Sequence, residues 1–410
     1  MPHRSGSRSR TLTPLLVAVL GIVLGAGGIV LLGPLGVGQP SAETAGAASA
    51  RQTGDAGPHT LSSQAIYERI EPSVVDVTST LRYDNETASG TGFVIDARAG
   101  LVLTNNHVIR DATSVMLTIP ATGRSYVARI IGVDVTADVA VLQVSAPALT
   151  QAPIGDSASV NAGTRVISFG NQAGAGGSPT VAAGLISGTG RTVQASDNAS
   201  GFTETLHNML QTTAHIEPGD SGGPLADTTG AVIGVDTAAG AGGAGGAPTG
   251  YAIPINTAIS AERQIRAGSP APGIRLGVQG FLGVVLAPGT AKSLRAQERQ
   301  AHIHPTSAAG TSPPPVCAPT KADVGVPSAV APARSGALVV GVLCGTGAAG
   351  AGIASGAVII AANGLPVSSP SALTAIMSEN PPGTLISVTW VSIAGKTRTS
   401  AIRLDTAPAL

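Results

Sequence analysis

The amino-acid sequence predicts a mostly β chain, and three observations carry that prediction. Short β-branched runs recur at 73–79, 92–96, 101–104, 114–119, 127–133, 139–144, 164–168 and 231–236, each bounded by Gly, Asn, Asp or Pro. Runs of that length with turn residues between them suggest a sandwich or a barrel. Helical signals around them are few: 62–70, which opens on a Ser cap, and a short stretch before Ile265. Finally, 55 glycines and only 2% aromatic residues point to a core of small aliphatic side chains and many tight turns.

The chain has 410 residues, a length that suggests two or three domains. Its 23 basic and 23 acidic residues cancel, and charged residues are only 11% of the whole. Ordinary soluble domains carry about 25%. A neutral, charge-poor chain lacks the basic footprint of a nucleic-acid binder, so no nucleic-acid partner is expected. A hydrophobic content of 43% excludes a fully disordered chain. Glycine shows no period of three, which excludes a collagen-like one.

The elements follow in order. Residues 1–12 form a basic tail with Arg4, Arg8 and Arg10, and no acid occurs before Glu43. The stretch 15–32 is wholly apolar, enough to cross a bilayer as a helix, so 13–38 is expected to be a transmembrane anchor. The basic flank places the N-terminus in the cytoplasm and the rest of the chain outside. The rival reading is secretion after signal cleavage near Ala48-Ser49-Ala50. Residues 39–60 read as a flexible linker of Ala, Gly, Ser, Pro and Thr. The Gly-rich stretches 172–179 and 240–250 read as long loops in the body that follows.

The sharpest chemical signal is Glu217-Pro218-Gly219-Asp220-Ser221-Gly222-Gly223-Pro224-Leu225. A serine hydroxyl is a poor nucleophile until a base removes its proton. Flanking glycines allow a tight turn that presents amide groups, and the N–H groups of Gly219 and Ser221 are the candidates for an oxyanion hole. The stretch also fits G-x-S-x-G, the elbow that places Ser between a strand and a helix. Against that reading, a strand run follows Pro224, and the later histidines, His302 and His304, lie in a Pro- and Ser-rich stretch. The order His, Asp, Ser fits better. His107 lies in Thr104-Asn105-Asn106-His107-Val108, at the end of a strand run, and is the candidate base. Asp138 opens the run Asp138-Val139-Ala140-Val141-Leu142 and is the candidate acid, with Asp134 as its competitor.

These motifs together resemble the HtrA (Deg) family of trypsin-like serine proteases. Ser89-Gly90-Thr91-Gly92-Phe93-Val94-Ile95 looks like the first barrel strand of that family. The His107, Asp138 and Ser221 motifs match in order, and Gly250-Tyr251-Ala252-Ile253-Pro254 looks like the last strand of the second barrel. The resemblance implies a chymotrypsin-like double β-barrel over 61–268, in which Ser221 attacks, His107 moves the proton and Asp138 orients His107. Two departures stand out. The family usually has Asn where this chain has Asp220. It also carries a different sequence where Thr212-Thr213-Ala214-His215-Ile216 stands here. His215 and Ile216 fall at the wall of the specificity pocket. His215 has two readings, a surface histidine or a pocket residue that tunes specificity with pH.

The resemblance extends to 269–410, where a PDZ-like domain is expected. Phe281-Leu282-Gly283-Val284 resembles a carboxylate-binding loop, which takes a peptide C-terminus beside an open strand edge. A Pro-rich insert at about 287–334 shows no strand pattern. Cys317 and Cys344 are a candidate disulfide, persistent outside the cytoplasm. The function expected is a serine endopeptidase acting on envelope or misfolded proteins, regulated by peptide binding, without cofactor or metal, and by resemblance a homotrimer. The alternative is a peptide-binding scaffold or chaperone with a latent protease domain.

Overall fold

Ser62 caps the first helix of the body, its Oγ accepting from the Ala65 amide at 3.2 Å. The computed structural model describes residues 60–174, 176–197, 202–237, 250–269, 271–288, 291–303 and 317–409. The expected basic tail, anchor and linker lie outside the described residues. Among those described, no helix is long and apolar enough to cross a membrane.

Helix α1 (Ser63–Ile70) buries Ile66 and Ile70 and stacks Tyr67 on Phe169, their rings 6.1 Å apart. There follow β1 (Val74–Leu81), β2 (Glu86–Asp96), β3 (Leu101–Thr104), the one-turn α2 (Asn106–Ile109), β4 (Ser114–Ile119), β5 (Arg124–Asp134) and β6 (Val139–Val144). Their sheet order β5-β4-β1-β2-β3-β6 closes through β5–β6 pairing into a first barrel. The 89–95 run, expected as the first strand, is the second. Residues 74–81 pair with it along their whole length, from Val74 opposite Phe93 to Leu81 opposite Glu86.

A second closed barrel comprises β7 (Arg165–Gly170), β8 (Thr180–Asp197), β9 (Phe202–Thr212), β10 (Pro224–Asp227), β11 (Val232–Thr237) and β12 (Gly250–Pro254). Helix α3 (Ile255–Arg266) closes this half, burying Ile255, Ala258, Ala261 and Ile265. Both interiors are built from Val, Ile, Leu and Ala, with Phe93 and Phe169 the only large rings fully buried in the described core. The paucity of aromatic residues is therefore a property of the packing.

The chain then runs through β13 (Ile274–Leu276), which adds to β5, β14 (Gly280–Phe281) and β15 (Val284–Leu286). Helix α4 (Leu294–Gln300) follows. Beyond it come β16 (Ala337–Val342), α5 (Gly347–Ala351), β17 (Val358–Ala362), β18 (Leu365–Pro366), α6 (Pro370–Ser378), β19 (Leu385–Val391), β20 (Thr397–Arg403) and β21 (Asp405–Thr406). The sheet order β15-β16-β17-β19-β20 leaves β15 at one edge.

The expected structureless insert needs correction. Residues 294–300 are helical, and Gln297 is fully buried. Its Nε2 donates to the carbonyls of Ala291 and Gly336 and its Oε1 accepts from Leu338. A buried amide with all these bonds made pins the helix to β16. Cys317 and Cys344 form a disulfide, and Ala318 bridges to Leu343 beside it. His304 and the triple-proline run at 313–315 lie outside the described residues.

Candidate active site

The site is assembled from the ends of short elements of both barrels. Strand β3 ends at Thr104, and the chain turns into α2 at Asn105. Here Asp138, which has φ +53 and is fully buried, is gripped from several directions. Its carbonyl accepts from the Asn105 side chain at 3.0 Å and the Asn106 amide at 3.2 Å. Its Oδ1 accepts from the His107 amide at 2.9 Å, and its Oδ2 lies 2.8 Å from His107 Nδ1. With both oxygens committed to one residue, the carboxylate fixes the ring orientation and holds the proton on Nδ1, leaving Nε2 as the basic nitrogen. The His107 side chain remains 26% exposed while Asp138 is sealed below it. Asp134, the competitor, is a turn residue: its Oδ1 caps the amides of Thr136 and Ala137.

The serine turn comes from the second barrel and lies directly on the first. Ser221 O accepts from the Thr91 amide at 2.9 Å, and Gly219 O accepts from Thr91 Oγ1 at 2.7 Å. Thr91 Oγ1 also accepts from the Asn171 amide at 2.8 Å, so this hydroxyl joins three segments. A methyl group on Gly222 would sit 2.1 Å from Thr91 O and 2.3 Å from Thr104 Oγ1, so only glycine admits this approach. A methyl group on Gly90 would meet Val108 at 2.6 Å and Ser221 O at 3.1 Å. One point on β2 thus touches both Val108, the residue after His107, and the backbone of Ser221. No helix follows Ser221: the turn runs into β10, as a nucleophile elbow would not.

Other expected residues fall out differently. His215 is exposed and pairs with Glu217, Nε2 to Oε1 at 2.7 Å, which favours its surface reading. Ile216 packs against Gly250, whose added Cβ would lie 2.7 Å from Ile216 Cδ1. The loop 238–249 between β11 and β12 lies outside the described residues.

The loop 281–284 links β14 to edge strand β15. Gly283 has φ +86, and a Cβ there would lie 2.1 Å from Thr346 Cβ. The carbonyls of Leu282 and Gly283 accept from the amides of Ala348 and Leu343. Between β15 and α6 opens a cavity of about 390 Å³ lined by Phe281, Leu282, Val284, Leu286, Leu373 and Met377. Lys321 and Asp111 stand at its rim.

Sequence reasoning missed Thr91, Lys321 and Asp236. The acid that directly follows the run 232–235 marks Asp236 in the sequence but not its partners; Thr91 and Lys321 act only through contacts distant in sequence.

Residues 90–235 match the family model described as a trypsin-like peptidase domain. The periplasmic pH-dependent serine endoprotease DegQ of Escherichia coli is 32% identical over 320 residues, 77% of this chain and 59% of DegQ. The serine protease HhoA of Synechocystis, a putative one, is 33% identical over 292 residues, 71% of this chain and 64% of HhoA. The chain therefore spans about three fifths of the length of these relatives. The solved structure of the HtrA-type protease AlgW with a tripeptide aligns with 85% of this chain and 98% of its own, at 26% identity and a TM-score of 0.44. Residues 90–235 match a trypsin-like peptidase domain, and about three quarters of the chain is similar in sequence to the serine endoprotease DegQ.

Proposed function

We propose that the protein is a serine endopeptidase that cleaves envelope or misfolded proteins through an acyl-enzyme. The observation that carries this reading is the doubly bonded Asp138–His107 pair, held on the same β2 segment that receives the Ser221 turn. Ser221 Oγ attacks the scissile carbonyl while His107 Nε2 takes its proton. The amides of Gly219 and Ser221 receive the oxyanion, and one such donor contributes about 3–4 kcal/mol in the transition state. Protonated His107, stabilised by Asp138, then gives its proton to the leaving amine. Water repeats the sequence in reverse and frees Ser221.

The C-terminal module is, on this reading, a PDZ-like domain that binds peptide C-termini in the groove between β15 and α6. Its support is an open strand edge beside an apolar cavity and a glycine loop at its end. The Cys317–Cys344 bridge supports a location in an oxidising compartment, in keeping with residues 13–38 as a membrane anchor. A homotrimer is part of the same proposal. Ser221→Ala should lower turnover of an unfolded protein such as casein by up to ~10⁶-fold. Casein hydrolysis that survives this substitution in purified protein would refute the reading. Failure of a fluorophosphonate to label Ser221 under any condition would favour a peptide-binding scaffold instead.

A further inference from the structure

Beneath the serine turn lie two carboxyl groups that the triad does not use. Asp236, on β11, is 0% exposed, and Asp220, which precedes the nucleophile, is 3% exposed. Asp236 holds the turn through its backbone: its carbonyl accepts from the Gly222 amide and its amide donates to Gly223 O, both at 2.8 Å. Its Oδ2 accepts from Ser168 Oγ at 2.6 Å, and Asp220 Oδ2 accepts from the Glu217 amide at 2.8 Å. The Oδ1 atoms of both are buried with no hydrogen-bond partner. No Lys or Arg forms an ion pair with either among the described residues. An ionised carboxylate so placed would be costly, whereas a neutral carboxyl is tolerated.

We propose that Asp236 is a positioning residue which holds the Ser221 turn in its working shape in its protonated form, so that its ionisation beside Asp220, rather than that of the triad, sets the alkaline limit of activity. Burial pushes both carboxyls above the usual carboxylate range. For Asp236 the rise is large; the Ser168 bond opposes it and the Asp220 charge reinforces it. For Asp220 burial acts first, the Glu217 amide opposes it, the Glu217 charge adds to it and His215 works against it. The neighbouring β7 segment contributes Ser168 and the backbone of Gly170, and its charged residue, Arg165, is exposed at the start of the strand. A methyl on Gly170 would lie 2.1 Å from Asp220 Oδ1, so no room remains there for water or a counter-ion. Ionising Asp236 adds a second negative charge, beside that of Asp220, under a turn whose amides must receive the oxyanion.

The inference rests on the serine-protease reading, and its tests separate the two. The full chain is assayed for kcat on a peptide substrate from pH 5 to 10, as wild type, Asp236→Asn, Asp220→Asn and Asp236→Ala. Asn supplies the neutral shape permanently. The wild type should lose rate tenfold per pH unit beyond the titration of Asp236; Asp236→Asn should remove that limb, and Asp220→Asn, which removes the neighbouring charge, should move it to lower pH. Asp236→Ala, which is neutral but cannot bond Ser168, should lose rate at every pH. Alkaline limbs that coincide in wild type and both Asn variants would overturn the proposal. Infrared spectra of Ser221→Ala protein at pH 7 read the carboxyls without any need for activity. A protonated-carboxyl band that disappears in the Asp236→Asn background is expected. Its absence from the parent would overturn the proposal even if Ser221 reacts with the fluorophosphonate and a variant fails to fold.

Discussion

Asp138 meets His107 with both carboxylate oxygens, one on the amide and one on the ring, so the ring is held in plane and in tautomer by one side chain. Asp138→Asn keeps the volume but presents an amide N–H₂ where an acceptor is needed. The expected result is a fall in kcat of about 10⁴, the scale known for this change in other triads. A loss below tenfold in steady-state kinetics would place tautomer control elsewhere. Asp76 makes a different prediction. It is buried on β1, its Oδ1 has no hydrogen-bond partner, and burial raises its pKa to about 6. In the unfolded chain an Asp titrates near about 3.9, so between these values the folded state holds a proton that the unfolded state has lost. Stability from this group is thus fully present below about pH 4 and is lost as pH rises through about 6. Asp76→Asn should flatten that slope, on the order of 2–3 kcal/mol, in urea denaturation at pH 4.5 and pH 7.5. Parallel pH dependences of variant and wild type would contradict this assignment.

The loop ahead of edge strand β15 lends itself to the same treatment. Gly283 combines φ +86 with a Thr346 contact that no methyl group could enter. Gly283→Ala should distort the groove entrance, costing about 1–3 kcal/mol locally, and should abolish peptide binding measured by fluorescence polarisation. Unaltered peptide affinity would show that the loop takes no part. The elements of the first barrel were legible because each carries its own signal: β-branched runs such as 101–104 and 139–144, closed by turn residues, are strands at the expected places. The ribbon β8–β9 was not. Gly184, Gly188 and Gly190 break the pattern of 180–197, and the strand exists because each side pairs with the other, with several register shifts. Helix α4 escaped for a similar reason, since a buried Gln297 satisfied by β16 and its flanks has no signature in a local window. In the candidate site, the pairing of His107 with Asp138 was legible because the backbone around it needs particular residue types. Thr91 and Asp236 were not, because their partners lie far along the chain.

At the scale of the whole molecule, the C-terminal module is attached to the double-barrel half at the loop that follows His107. Asp111 donates its amide to Ala409 O at 2.8 Å, and the Ala409 amide donates to Ala112 O at 2.9 Å. Lys321 adds an ionic clasp, its Nζ 2.6 Å from Asp111 Oδ1 and 3.1 Å from Asp84 Oδ2, while its amide donates to Tyr83 O. Burial opposes the charge on Lys321, but the two carboxylates more than offset this and hold its pKa above the usual lysine value. Tyr83 packs on Phe281 with rings 5.3 Å apart, which joins the clasp to the groove loop. The Cys317–Cys344 bridge closes the segment that carries Lys321 onto the end of β16. Lys321 therefore reports on both halves: it lines the groove and holds the segment four residues after His107. Lys321→Ala leaves two carboxylates facing each other and removes one of the attachments. Calorimetry should then resolve two melting transitions where the wild type shows a more nearly single one, because the halves lose cooperativity. A double-mutant cycle of Lys321→Ala with Asp111→Asn should return a coupling of about 1 kcal/mol or more, as for directly paired groups. Additive effects and an unchanged thermogram would mean that the backbone pair at Ala409 and the Tyr83 contacts carry the attachment without the ionic clasp. In that case a deletion from Ala409 onward, and not Lys321→Ala, would separate the transitions.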